Sequence, residues 1–175
     1  MFLKGFKEKS NKKYLNKLLS KRLVNVTNSR AESLGVILNA DEFNDFESFR
    51  KLANFIKIKA NRLKIVAFSE NKKDDLNFWE VCFNPNDFGW NGTIKNVELQ
   101  SFLDESFDVL VSYYQQEVLE LKLITAASKA KFKIGVLQTD ERLNDLIIKT
   151  DITEFEVFKN EIFRYLTILN KIENE

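Results

Sequence analysis

Two stretches of polar side chains sit where apolar runs stop. Asn39, Ala40, Asp41 and Glu42 follow Leu34 to Leu38, and Ser112, Tyr114, Gln115 and Gln116 lie at the end of the run that starts at Phe107. In open parallel sheets a ligand binds past the carboxyl ends of the strands, where the strand order reverses, and the two stretches line that crevice if the first run is the central strand and the second its neighbour. Amides donate and accept, a tyrosine ring stacks and an aspartate serves as base, so Asn39, Asp41, Ser112, Tyr114 and Gln115 are the candidate ligand-binding residues. The same acids equally suit the first turn of a helix, where the dipole favours them. No glycine stands in that turn to admit a phosphate, and Asp41 and Glu42 would repel one.

The second group is cationic. Lys4, Lys9, Lys12, Lys13, Lys17 and Lys21 fall in the first thirty residues, interleaved with Phe2/Leu3, Phe6, Tyr14/Leu15, Leu18/Leu19 and Leu23. Such a stretch is a candidate surface for an anionic partner, RNA or ribonucleoprotein ahead of a membrane surface. Docking on lipid would need Phe2, Leu3 and Phe6 as well as the lysines. The alternative is a helix that packs its stripe on the body and turns its lysines to the body's acids, or a protein partner, and all of these stay open. Phe88-Gly89-Trp90-Asn91-Gly92 contains a GxxG, but it follows no helix and reads as a tight turn displaying Trp90.

Other chemistries are excluded by what the chain lacks. With no histidine, Ser-His-Asp and Cys-His activation, histidine zinc sites and HExxH are impossible. Cys82 is the single cysteine, which leaves no internal disulfide, CxxC pair or cysteine zinc cluster. Among the five glycines no two form a GxG, so the Walker loop and the dinucleotide fingerprint are missing. No catalytic residue, metal or cofactor is expected. No apolar run approaches the ~18 residues of a transmembrane segment, and lysines interrupt the region where a signal peptide needs an unbroken apolar core. The expectation is a cytoplasmic protein.

The elements that must position these groups follow from periodicity. Residues 1–30 carry nine Lys/Arg and one acid, net +8, whereas the other 145 residues hold 18 basic and 25 acidic groups, net −7. A basic amphipathic helix over Leu3 to Leu23, interrupted by the polar pair Ser10 and Asn11, and a linker to residue 30 are expected outside the core of a single α/β domain spanning 31–175. Strands are expected at Leu34 to Leu38, Lys64 to Phe68, Glu80 to Phe83, Phe107 to Tyr113, Phe132 to Leu137 and Leu146 to Ile148. Between them, helices are read from Phe43 to Ile56, Val97 to Leu103 and Val118 to Lys129. A capping box at Thr153 and Glu156 opens the last helix, with Phe155, Phe158, Ile162, Tyr165/Leu166 and Leu169 inward. This alternation predicts an open, mostly parallel Rossmann-like sheet flanked by helices.

The segment Phe107-Asp108-Val109-Leu110-Val111, then a helix, then Ser128-Lys129-Ala130-Lys131-Phe132-Lys133-Ile134-Gly135, resembles a strand–helix–strand unit of heptosyltransferase-type (GT-B) glycosyltransferases. It covers about thirty residues of their amino-terminal half, where it packs the fold, and Asp41 stands nearest their acceptor-side aspartate. Over its length the chain is similar to a family of small cytosolic α/β proteins of Bacteroidota with no assigned activity. Two functions follow as expectations. One is a non-catalytic binding or adaptor domain docking through its basic helix; the other is a reduced glycosyltransferase-like enzyme using the strand-end crevice.

Overall fold

Apolar runs buried on both faces become strands of a parallel sheet. The computed structural model describes residues 2–24, 26–71, 80–136 and 140–173. Its strands are β1 (Leu34–Asn39), β2 (Leu63–Phe68), β3 (Val81–Phe83), β4 (Val109–Tyr113), β5 (Phe132–Val136) and β6 (Leu146–Ile148). They form one six-stranded sheet in the order β3-β2-β1-β4-β5-β6, every pairing parallel. The helices are α1 (Phe2–Ser20), α2 (Phe46–Phe55), α3 (Val97–Asp104), α4 (Leu119–Ala127) and α5 (Phe155–Ile168). The expected Rossmann-like α/β class is what is found, and β1 lies between β2 and β4, at the point where the strand order reverses.

Successive strand residues point to opposite faces, so each strand feeds two cores. On one face Leu34, Val36, Leu38, Val111 and Tyr113 meet α2 and α5. Helix α2 begins where Asp45 accepts the Ser48 N–H at 3.2 Å, and it buries Phe46, Phe49, Leu52 and Ala53. Phe43 lies ahead of α2, in the turn, with its ring 5.0 Å from Tyr113. The Tyr113 ring is also 5.4 Å from Phe49 and 5.5 Å from Phe155, both T-shaped, and its hydroxyl donates to the Ile152 carbonyl at 2.6 Å. On the other face Ile37, Val66 and Leu110 meet α3, α4 and one side of α1.

Three expectations change. Leu15 and Leu19 are only 7% and 5% exposed and belong to the second core, so the first thirty residues do contribute core. Helix α1 ends at Ser20 rather than Leu23, and Arg22 turns back to donate to the Arg142 carbonyl at 2.8 Å and to pair with Asp145. The capping box before α5 does not form. The Thr153 hydroxyl donates to Asp151 at 2.6 Å, a partner two residues away, and the helix starts at Phe155 with Leu169 exposed at its far end. The linker is anchored too: the Ala31 N–H donates to the Lys171 carbonyl at 2.8 Å, and Lys171 Nζ donates to the Thr27 carbonyl at 2.7 Å. Part of the irregular stretch between β2 and β3, residues 72–79, lies outside the described residues, as do Leu137 and Asn25.

At the entry end of the sheet, Asp108 accepts the N–H groups of Glu32 and Ser33 at 3.0 and 3.1 Å and pairs with Lys131 at 2.7 Å. Burial raises the Asp108 pKa, but the hydrogen bonds from Lys131, Glu32 and Ser33 outweigh it and hold the carboxyl below the usual range. Gly35 is required here, because a Cβ would lie 2.7 Å from the Phe107 ring. Asp108 and Lys131 thus act as a clamp tying β1, β4 and β5 together.

Candidate functional site

The carboxyl ends of β1 and β4 carry the polar set read from the sequence, and most of its hydrogen-bonding capacity is turned inward. The Glu42 carboxylate accepts the backbone N–H groups of Gln115 and Gln116 at 3.1–3.2 Å and the Asn39 amide at 3.0 Å. In a doubly wound fold those N–H groups lie where an anionic ligand would be held, and here a carboxylate of the chain itself holds them. Asp41 accepts the Ser69 hydroxyl and the Glu70 N–H, both at 2.8 Å, which ties the loop after β1 to the loop after β2. The Gln115 amide donates to the Thr150 carbonyl at 3.1 Å.

Ser112 and Tyr114 lie elsewhere. Both are buried beneath α4, where the Tyr114 hydroxyl meets Thr125 Oγ1 at 2.8 Å and the Ser112 hydroxyl is 3.4 Å from it. Burial raises the Tyr114 pKa, so its hydroxyl stays neutral. Thus Asn39, Asp41 and Gln115 share the strand-end network with Glu42, while Ser112 and Tyr114 are part of the packing of α4 on the sheet.

A wider opening lies beside this network. It is a cavity of about 750 Å³ past the ends of β2 and β3, bounded by Glu70, Asn86, Trp90 and the start of α4, and roofed by Lys4, Lys7 and Glu8 of α1. Its charges are mixed. Lys12 pairs with Glu8 at 2.5 Å and Glu117 pairs with Lys122, while Lys7 Nζ donates to the Phe88 carbonyl at 3.0 Å. Burial pushes the Glu120 carboxyl up, with Glu70 adding to the effect. Cys82 lies on edge strand β3, where burial and then Glu80 push its thiol up, away from the thiolate that nucleophilic chemistry needs.

Residues that sequence reasoning left without a role hold α1 in place. Trp90 to Thr93 form a turn with Asn91 and Gly92 both at positive φ, 53° and 71°, closed by a Thr93 N–H to Trp90 carbonyl bond of 3.0 Å. Trp90 is half exposed, as the GxxG reading anticipated. Asn11, only 2% exposed, donates to the Gly89 carbonyl at 3.0 Å and accepts the Gly92 N–H at 2.9 Å. Ser10 makes a second pair of bonds with Asn91, at 2.7 and 3.1 Å. A Cβ on Gly92 would lie 2.2 Å from the Tyr14 ring, so the turn and the helix are shaped to each other. The polar interruption in the apolar stripe was the available signal, because a buried amide must find a donor and an acceptor.

With its inner face fixed, α1 presents the other face outward. Lys9, Lys13, Lys17 and, just past the helix, Lys21 are exposed, and none of them has an ion pair among the described residues. Phe2, Leu3 and Phe6 are exposed on the first two turns. Leu3, Lys4 and Lys12 border the cavity. Among the described residues no helix is long and apolar enough to cross a membrane.

Comparison with known proteins places the chain in a family and adds no activity. Residues 7–169, from the second turn of α1 to the end of α5, match the model of a family of unknown function (DUF6913). No curated protein and no solved structure matches the chain.

Proposed function

The chain belongs to this family, DUF6913, and from that premise we propose that it is a non-catalytic α/β binding or adaptor domain that docks on a phosphate-bearing anionic partner through the outward face of α1. One observation carries the reading. The helix is locked on its inner side by Asn11, Leu15 and Leu19, while Lys9, Lys13, Lys17 and Lys21 on or just past it remain exposed and free of ion pairs among the described residues. Arg22, just past the helix, is by contrast paired with Asp145 on the body. A helix already held on the body presents its cations without the cost of ordering its backbone on binding. The body's net −7 disfavours approach of the same partner from other sides. The enzyme reading needs the strand-end crevice for a substrate, and the Glu42 network occupying it favours the binding reading instead.

The test uses the full chain with poly(U) RNA and with phosphatidylserine vesicles at low salt. Binding to at least one of them is expected, weakening linearly in log affinity against log salt. For RNA, each of Lys9→Gln, Lys13→Gln and Lys17→Gln lowers the slope by about 0.7–0.9. Binding to neither, or binding that these changes leave untouched, overturns the reading.

A further inference from the structure

Resting on that reading, we propose that the surface α1 docks on is an anionic lipid bilayer, with Phe2 and Phe6 entering the headgroup region while Lys9, Lys13 and Lys17 contact lipid phosphates. The helical repeat puts Phe2, Phe6, Lys9, Lys13 and Lys17 on one stripe, roughly 160° around the helix from the stripe of Asn11, Leu15 and Leu19. Burial agrees with that geometry: the second stripe is buried, whereas Phe2, Leu3 and Phe6 are 87%, 74% and 59% exposed. Phe2, Gly5, Phe6 and Lys9 together line one shallow hollow, and nothing lies within 4 Å of where a Gly5 Cβ would stand. Phe2 and Phe6 therefore project from the first two turns into a hollow lined by α1 alone.

Two chemistries share this face, and the partner must satisfy both. A duplex backbone would pair with the lysines but leave Phe2 and Phe6 in water, since a phosphate meets neither ring. A single strand that stacked its bases on both rings is the outcome the poly(U) titration reads. A second copy of the chain packed face to face would bring the lysine row against its own image. An anionic bilayer satisfies both chemistries at once: the two rings enter the boundary between headgroups and acyl chains, and the lysine stems reach up to the phosphates. The −7 body is repelled by the same surface, so the domain stands on α1 with its strand-end cavity turned away or to the side.

The experiment is co-sedimentation of the full chain with phosphatidylcholine vesicles, with and without phosphatidylserine, beside titration with poly(U) RNA. Three chains are compared: wild type, Phe2→Gln/Phe6→Gln and Lys9→Gln/Lys13→Gln/Lys17→Gln. All five positions are exposed, so unchanged thermal midpoints verify that the variants fold. Wild type is expected on anionic vesicles and not on neutral ones. The phenylalanine variant should lose about tenfold or more in vesicle partitioning, and the lysine variant about a hundredfold. Vesicle binding that ignores the phenylalanines overturns the inference, as does a wild-type dimer dissociated by Phe2→Gln/Phe6→Gln. Binding to poly(U) without binding to vesicles overturns it and leaves the broader reading standing; binding to neither removes both.

Discussion

The two faces of the sheet are closed by different means. Under α2 and α5 the contact is made by rings and aliphatic chains: Phe43, Phe49, Tyr113, Phe155 and Phe158 form a connected aromatic cluster, with one buried hydroxyl, that of Tyr113, bonded to the Ile152 carbonyl. Under α1 and α4 apolar packing is threaded with buried polar groups, including Asn11, Thr125 and Lys133. Lys133 Nζ donates to the Thr125 carbonyl at 2.7 Å, in the last turn of α4. The first face is stabilised in proportion to the area it removes from water. The second specifies where a separate element must sit, because each buried polar group accepts only certain partners.

The comparison breaks first at its apolar side. Phe49→Ala should lower unfolding stability by about 3–5 kcal/mol, since Phe49 is fully buried and its ring meets three others. Chemical denaturation measures this, and a loss below about 1 kcal/mol would show that the cluster is not the centre of that core.

The buried Lys133 of the polar side should make stability depend on pH. Burial, then the nearby Arg22 charge, push Lys133 down to about 8. An unfolded lysine titrates near 10.4, so between the two values the unfolded chain binds more protons and stability rises with pH. The charged form is thus a cost below pH 8 that is relieved as pH climbs toward 10.5, by up to roughly 3 kcal/mol. The difference in stability between wild type and Lys133→Met should grow in favour of wild type across that window. A constant difference would mean the ammonium is not desolvated. Phe49→Ala should shift the curve with no such pH dependence.

The smallest change tests the clamp on α1. Asn11→Ala leaves the Gly89 carbonyl and the Gly92 N–H without their partner and should cost about 1–3 kcal/mol. Hydrogen exchange should report it first at the amides of Gly92 and of α1, with β4 and β5 unaffected. Equal protection in wild type and variant would show that Leu15 and Leu19 hold the helix without the turn.

Much of the architecture was legible without coordinates. Leu34 to Leu38, Lys64 to Phe68 and Phe132 to Leu137 are mostly apolar runs whose strand state is a local matter of burial and β-branching, with the last ending at Val136 in β5, and the helices between them repeat every three or four residues. The α/β class follows from that alternation, and the excluded chemistries from having no histidine and one cysteine, whereas the place of the reversal at β1 and β4 was a supposition that the strand order bears out. The candidate site was legible only as a neighbourhood. Asn39, Asp41 and Gln115 do converge, yet that Glu42 occupies the N–H groups of Gln115 and Gln116 depends on residues more than seventy positions apart.

The same holds for the basic helix. Composition determined that residues 1–30 carry +8 against a −7 body, and the spacing of their apolar residues that they hold a lysine-rich helix. Only the tertiary structure decided which face of that helix is inward, because Ser10 and Asn11 find their partners some eighty residues away in the turn at Gly89 to Gly92. Local periodicity records how a side chain is spaced from its neighbours. A hydrogen bond between distant segments is recorded nowhere in that spacing, and it exists once the sheet has brought both backbones within about 3 Å of a shared donor and acceptor.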